Sequence, residues 1–157
     1  MNFLKKNHEN QNINKNVLSK TLSLFIALII STTLSFAQET KGQDITVTIE
    51  NIANSRGHVI IGLHTTDTFM KADGLQEEVA KVKDGKVIVT FKNVAPGNYA
   101  LLALHDENDN KRMDFEPSGM PLESFGLSNN PSLMGPPAFS DGKFEVATEN
   151  IELTIKF

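Results

Sequence analysis

Four segments of this chain alternate apolar and polar residues with a period of two, and that period excludes a mainly helical fold. Ile45, Val47 and Ile49 share one face of residues 45–50, and Val59, Ile61 and Leu63 share one face of residues 58–64. Val87, Val89 and Phe91 do the same over 86–91, as do Ile151, Leu153, Ile155 and Phe157 over 151–157. Successive side chains of a strand point to opposite faces, so each segment reads as a half-buried strand. Turn chemistry separates them: Asn54 to Gly57, the Asp84-Gly85 pair, and Pro96-Gly97. Residues 99–105 are apolar on both faces, which suits a central strand covered on each side, and 144–147 form a weaker strand. Short strands between regular turns predict an all-β fold, an antiparallel β-sandwich. Val47, Ile49, Val59, Ile61, Leu63, Val89, Phe91, Leu102, Leu104, Leu153 and Ile155 are its expected core.

Two stretches break the pattern. Residues 68–82, with Phe69, Leu75 and Val79, read as a short helix or an irregular crossover. Residues 115–143 carry five prolines and four glycines with almost no periodicity. A loop that long is usually functional or disordered. Met120, Leu122, Phe125, Leu127, Leu133, Met134 and Phe139 make it too apolar for a solvated linker, so it is expected to pack beside the loop that follows residue 105.

The first 37 residues read as a secretory signal peptide. Lys5, Lys6, Lys15 and Lys20 face a single acid, Glu9; an apolar run spans Leu22 to Ile30; and Ser35-Phe36-Ala37 offers small residues at the two positions a signal peptidase reads. The run is shorter than the ~20 residues of a membrane span, although the long basic region also permits an uncleaved anchor. Cleavage leaves residues 38–157, enough for a single domain with a real core and no integral membrane segment. The leader holds four of the 15 basic residues and one of the 19 acidic ones, so the remainder carries 11 against 18, net −7. An acidic domain without a basic patch argues against nucleic acid and anionic membranes as partners. The chain has no cysteine, so an exported, periplasmic or secreted, protein here uses no disulfides.

Chemistry concentrates where the apolar strand 99–105 runs into Asp106-Glu-Asn-Asp-Asn-Lys-Arg-Met-Asp114. Asp106, Asn108 and Asn110 are spaced by two, and Asp114 follows four later. A loop curling around a point aims alternate side chains at its centre, and calcium needs six to eight oxygen ligands supplied in this manner. The expected set is Asp106, Asn108, Asn110, the Arg112 carbonyl and Asp114, closed by Glu116 or Glu123. Against it, Lys111 occupies the sixth loop position, where calcium loops carry Gly at positive φ, and Pro117 stands where a bidentate Glu belongs. A solvated Asx-rich turn is the plain alternative. His64 and His105 each end a strand and, if those strands are neighbours, form with Asp106 a transition-metal site. Asp106 and Glu123 could serve as the acid/base pair of a hydrolase. No nucleophile elbow, zinc-protease motif or phosphate loop is present, so a non-enzymatic binding or structural module is the leading expectation.

These residues also carry a resemblance. Gly97, Tyr99 and Ala100; then His105, Asp106, Glu107, Asn108, Asn110 and Asp114; then Gly119, Pro121, Glu123, Gly126, Ser128 and Asn129; then Gly135, Pro136, Pro137 and Phe139 follow the order of motifs in domain of unknown function family 2141. The chain resembles this family of small exported bacterial proteins over residues 44–157, departing at Lys111 where the family has Gly. The resemblance implies an exported single β domain. Its Gly-x-Tyr turn is similar to those of transthyretin-like sandwiches of Greek-key type. No activity comes with it, and fold analogy alone is weak evidence for function.

Overall fold

The computed structural model describes residues 41–157, and the signal peptide expected over 1–37 lies outside them. The described residues form eight strands: β1 (Gln43–Glu50), β2 (His58–His64), β3 (Gln76–Ala80), β4 (Val87–Val94), β5 (Gly97–Asp106), β6 (Phe125–Leu127), β7 (Phe144–Val146) and β8 (Ile151–Lys156). One helical turn, α1 (Phe139–Gly142), precedes β7. The strands make two sheets, one ordered β4-β1-β8 and one ordered β3-β2-β5-β6, with β7 also paired to β5. The inner faces close on one core. Ile45, Val47 and Ile49 of β1, Phe91 of β4 and Ile155 of β8 meet Val59, Ile61 and Leu63 of β2 and Leu101 and Ala103 of β5. This is an all-β sandwich. Pairing is antiparallel except between β1 and β8, which run parallel in register from Ile45↔Ile151 to Glu50↔Lys156. Among the described residues, no helix is long and apolar enough to cross a membrane.

Local signals hold where turn chemistry is strong. Asp84 and Gly85 both take positive φ, 52° and 73°, as a two-residue hairpin turn with matched twist demands. Lys83 and Lys86 close it by exchanging backbone hydrogen bonds of 2.9 and 3.0 Å. Residues 68–82 are neither a helix nor a plain crossover. Thr65 to Ala72 make tight turns that bury Phe69, and Gln76–Ala80 become the edge strand β3 against β2. The acids Glu77 and Glu78, which look helical in sequence, protect an exposed sheet edge instead.

The phase of β5 corrects the core. Val59↔His105, Ile61↔Ala103 and Leu63↔Leu101 are cross-strand partners, so Leu101, Ala103 and His105 face the sandwich interior. Leu102 and Leu104 face outward and are half-buried. A shift of one residue exchanges the faces of a strand, and with apolar residues on both faces alternation cannot choose between them. Val89 and Leu153 are also half-buried, because β4 and β8 are the edges of a three-stranded sheet. The segment 115–143 folds down only in part, and on the outer face of β5: Met120, Leu122 and Met134, expected to pack, are exposed. Leu127, Phe125, Leu133 and Phe139 gather there with Phe69, Ala100 and Leu102 in a second, smaller apolar cluster.

Replacing Leu101 by Ala therefore costs about 2–5 kcal/mol of unfolding free energy in a denaturant titration, as for other fully buried leucines, and Leu102→Ala costs less. Equal losses at the two positions would contradict the assigned phase.

Candidate functional site

The C-terminal end of β5 carries the polar centre. Asp106 is 1% exposed and Glu123 7% exposed, though the segments around them lie at the surface. Burying a carboxylate is costly unless its oxygens are bonded, and here all four are. The Asn110 and Lys111 N–H groups donate to Asp106 Oδ1 and Oδ2 at 3.1 and 2.8 Å. The Glu107 and Asp114 N–H groups donate to Glu123 Oε1 and Oε2 at 3.0 and 3.2 Å. Two acids thus fasten four backbone amides of one loop, Asp106 from its start and Glu123 from the returning chain.

Asn108 and Asn110 fill the space between. Their amide oxygens accept N–H bonds from Asn110 at 3.1 Å and Arg112 at 3.0 Å, each two residues ahead, as in Asx turns. Their Nδ2 groups both donate to Asp114 Oδ2, at 2.6 and 2.7 Å. Asp106, Asn108, Asn110 and Asp114 are therefore brought together. Lys111 has φ +64° and Asp109 φ +60°. Lysine thus adopts the left-handed conformation that glycine takes at this position of calcium loops, at a steric cost of about 1 kcal/mol. Glu116 is not gathered in: it is exposed and accepts from the Ser118 hydroxyl at 3.1 Å. Glu123 is the acid that reaches the loop.

The neighbouring turn before β2 locks onto the same loop. Arg56 pairs with Glu107, Asn54 Nδ2 donates to Glu107 Oε1 at 3.1 Å, and His58 meets Asp109. Gly57 has φ +59°, and a Cβ there would collide with the Asp106 carbonyl. Only glycine serves, since both its conformation and its contact exclude a side chain. Sequence reading placed Gly57 in a turn and assigned Asn54, Arg56 and Glu107 no part in the site. The signal was present, since a turn before one strand lies beside the end of its antiparallel neighbour, but no local pattern names that neighbour.

The histidines do not form a pair. His64 lies opposite Ala100 at one end of the β2–β5 ladder, and His105 opposite Val59 at the other. Five residues of β5 separate those positions, roughly 17 Å, and an odd separation puts the side chains on opposite faces. A joint transition-metal site is thereby excluded, and among the described residues no three His, Cys, Asp or Glu side chains are grouped to hold a metal. His105 is fully buried, its Nε2 donating to the Arg56 carbonyl at 2.9 Å; Nδ1 has no hydrogen-bond partner and lies 3.7 Å from Glu107 Oε1. His64 folds over Gly62, bonds Thr68 Oγ1 through Nδ1 at 3.3 Å, and meets Phe69 edge-on. Burial pushes its pKa below the usual imidazole value of 6.5, against smaller opposing contributions from Thr68, Glu77 and Asp73.

That shift has a definite sign. The unfolded chain takes up the His64 proton more readily than the folded one, so stability is full above about pH 6.5 and declines as pH falls below it. Melting temperatures measured from pH 7.5 to 5 decline less steeply in His64→Gln than in the parent. Gly57→Ala destabilises strongly, by about 2 kcal/mol or more, through strain and collision at the Asp106 carbonyl; chemical denaturation measures it, and a neutral result would contradict this contact.

No curated protein and no solved structure matches this chain. The family model described as "Uncharacterized protein conserved in bacteria (DUF2141)" matches residues 47–154, which hold β2 to β7 whole, parts of β1 and β8, the whole Asp106 loop and Glu123; the chain belongs to that family.

Proposed function

We propose that this is an exported, non-catalytic binding or structural module whose Asp106 loop takes a calcium ion. The observation that carries the reading is the convergence of Asp106, Asn108, Asn110 and Asp114 in a loop where Lys111 adopts positive φ. On binding, Asp106, Asn108, Asn110, Asp114, the Arg112 carbonyl and Glu123 would supply the oxygens, and the two Asn Nδ2 groups would give up their bonds to Asp114 Oδ2 as the carboxylates drew together on the ion. A calcium ion would there offset the repulsion between Asp106 and Asp114. Export rests on the basic and apolar pattern of residues 1–37. Hydrolase chemistry through Asp106 and Glu123 fits less well, because both carboxylates are buried and every oxygen holds a backbone amide rather than facing a cleft.

A second reading has its own support. The two Asn amide groups already donate to Asp114 Oδ2, so the loop is closed by hydrogen bonds and needs no ion. Calcium titration separates the two. If the ion binds, millimolar calcium stabilises the fold by about RT ln(1 + [L]/Kd) and so raises the melting temperature over a chelator control, and Asp114→Asn removes most of that gain. An unchanged melt assigns the loop to hydrogen bonds alone. Lys111→Gly stabilises the protein by about 0.5–1 kcal/mol in either case, because it relieves the left-handed strain. Mass spectrometry of the exported protein reads Gln38 at the N-terminus if cleavage follows Ala37, and the intact chain in membranes if it does not.

A further inference from the structure

The two outer faces of the sandwich differ in kind. On the β4-β1-β8 sheet, Thr46, Thr48, Thr90 and Thr154 point outward, with Ile88 among them, as on an ordinary wetted face. On the β3-β2-β5-β6 sheet the outward side chains are largely apolar. The cross-strand partners Val79↔Ile60, Ile60↔Leu104 and Leu104↔Phe125 set four apolar side chains in one row across four strands. The cluster around Phe69 covers the half of this face that holds Ala100 and Leu127, and it reaches the row only at Phe125. Among the described residues, Ile60 and Leu104 pack against neither apolar cluster, and Val79 is 56% exposed. Three adjacent strands thus carry a bare apolar strip on one face only. Contiguous apolar surface of this kind marks an interface rather than a solvated face.

The charges on β3 select the occupant. Glu77 and Val79 are exposed, while Gln76, Glu78 and Ala80 are partly covered. Ala80 and Val82 pack on the main core, so the exposed Lys81 faces outward with Val79 and Glu77. The rim of the strip therefore reads acid, apolar, base, with Val79 in the middle. Glu77 and Lys81 are four residues apart, ~13 Å along an extended strand, too far to pair with each other. Among the described residues neither makes an ion pair. A two-fold axis laid along the row through Val79, Ile60 and Leu104 maps each of these side chains onto its own copy. The same rotation exchanges the two sides of the row, so Lys81 of one chain stands over Glu77 of the other, twice. The pattern is self-complementary, as an interface between identical subunits requires.

We propose that the protein forms a homodimer through this face, with Val79, Ile60 and Leu104 of two copies packed together and Glu77 and Lys81 paired across the axis. A narrow strip makes a small interface, and both copies are acidic, so the dimer is weak, with a dissociation constant of about 10–100 µM. The inference shares no residue with the calcium reading, and the failure of either leaves the other intact.

Sedimentation equilibrium of the purified protein, run from about 5 µM to about 1 mM, reads the association. A monomer–dimer equilibrium is expected. Glu77→Lys and Lys81→Glu, each at an exposed position, set like charges opposite each other and weaken the dimer about ten-fold or more. The double variant Glu77→Lys/Lys81→Glu restores opposite charges and returns the dissociation constant to within about three-fold of the parent. Ile88→Ser, on the polar face, leaves it unchanged. A monomer throughout the concentration range, weakening by Ile88→Ser, single reversals without effect, or a double variant as weak as the single ones would each overturn the proposal.

Discussion

The ladder between β2 and β5 is the constraint on which the rest depends. Seven residue pairs run in unbroken register from His58↔Asp106 to His64↔Ala100. Because side chains alternate, this one register sends Val59, Ile61, Leu63, Leu101 and Ala103 into the sandwich. It also brings the turn before β2 against the loop after β5. Gly57 then passes under the Asp106 carbonyl, and Arg56 and Asn54 reach Glu107. A slip of one residue would expose the core face and separate these partners together.

Asp106 and Glu123 carry the ladder's order into a loop that has little apolar support of its own. Both act as buried acceptors for backbone N–H groups that no strand satisfies. Loops are surface features because buried backbone polar groups need partners, and here side chains supply them. The same economy recurs at β8, where the Asn130 amide stands in for a missing strand. Carboxylates and amides are the main device by which this domain finishes its irregular segments. The first use surrounds a candidate cation loop, and the second closes an open sheet edge.

β5 is apolar on both sides, and the two sides meet different fates. Leu101 and Ala103 enter the main core. Ala100 and Leu102 lie under Phe69, Leu127, Leu133 and Phe139, supplied by the turn after β2 and by the long proline-rich segment. Apolar character without periodicity in residues 115–143 is thus explained in part by service as a cover: Phe125, Leu127, Leu133 and Phe139 answer positions on the sheet beneath them, so they need no period of their own, while Phe115, Met120, Leu122 and Met134 stay exposed.

Much of this was legible in the amino-acid sequence. Alternation in residues 45–50, 58–64, 86–91 and 151–157 specified strands and their buried faces, because a period of two follows from local backbone geometry. Asp84-Gly85 specified a hairpin for the same local reason, and the spacing of Asp106, Asn108, Asn110 and Asp114 specified a loop that curls. Tertiary structure alone decided which face of β5 looks inward, that residues 76–80 pair as an edge strand, that Glu123 rather than Glu116 reaches the loop, and that His64 and His105 lie at opposite ends of the ladder. Each of those depends on which distant strand lies alongside and in what register. That choice is made by summed packing across the sheet, an energy that no short window of sequence contains.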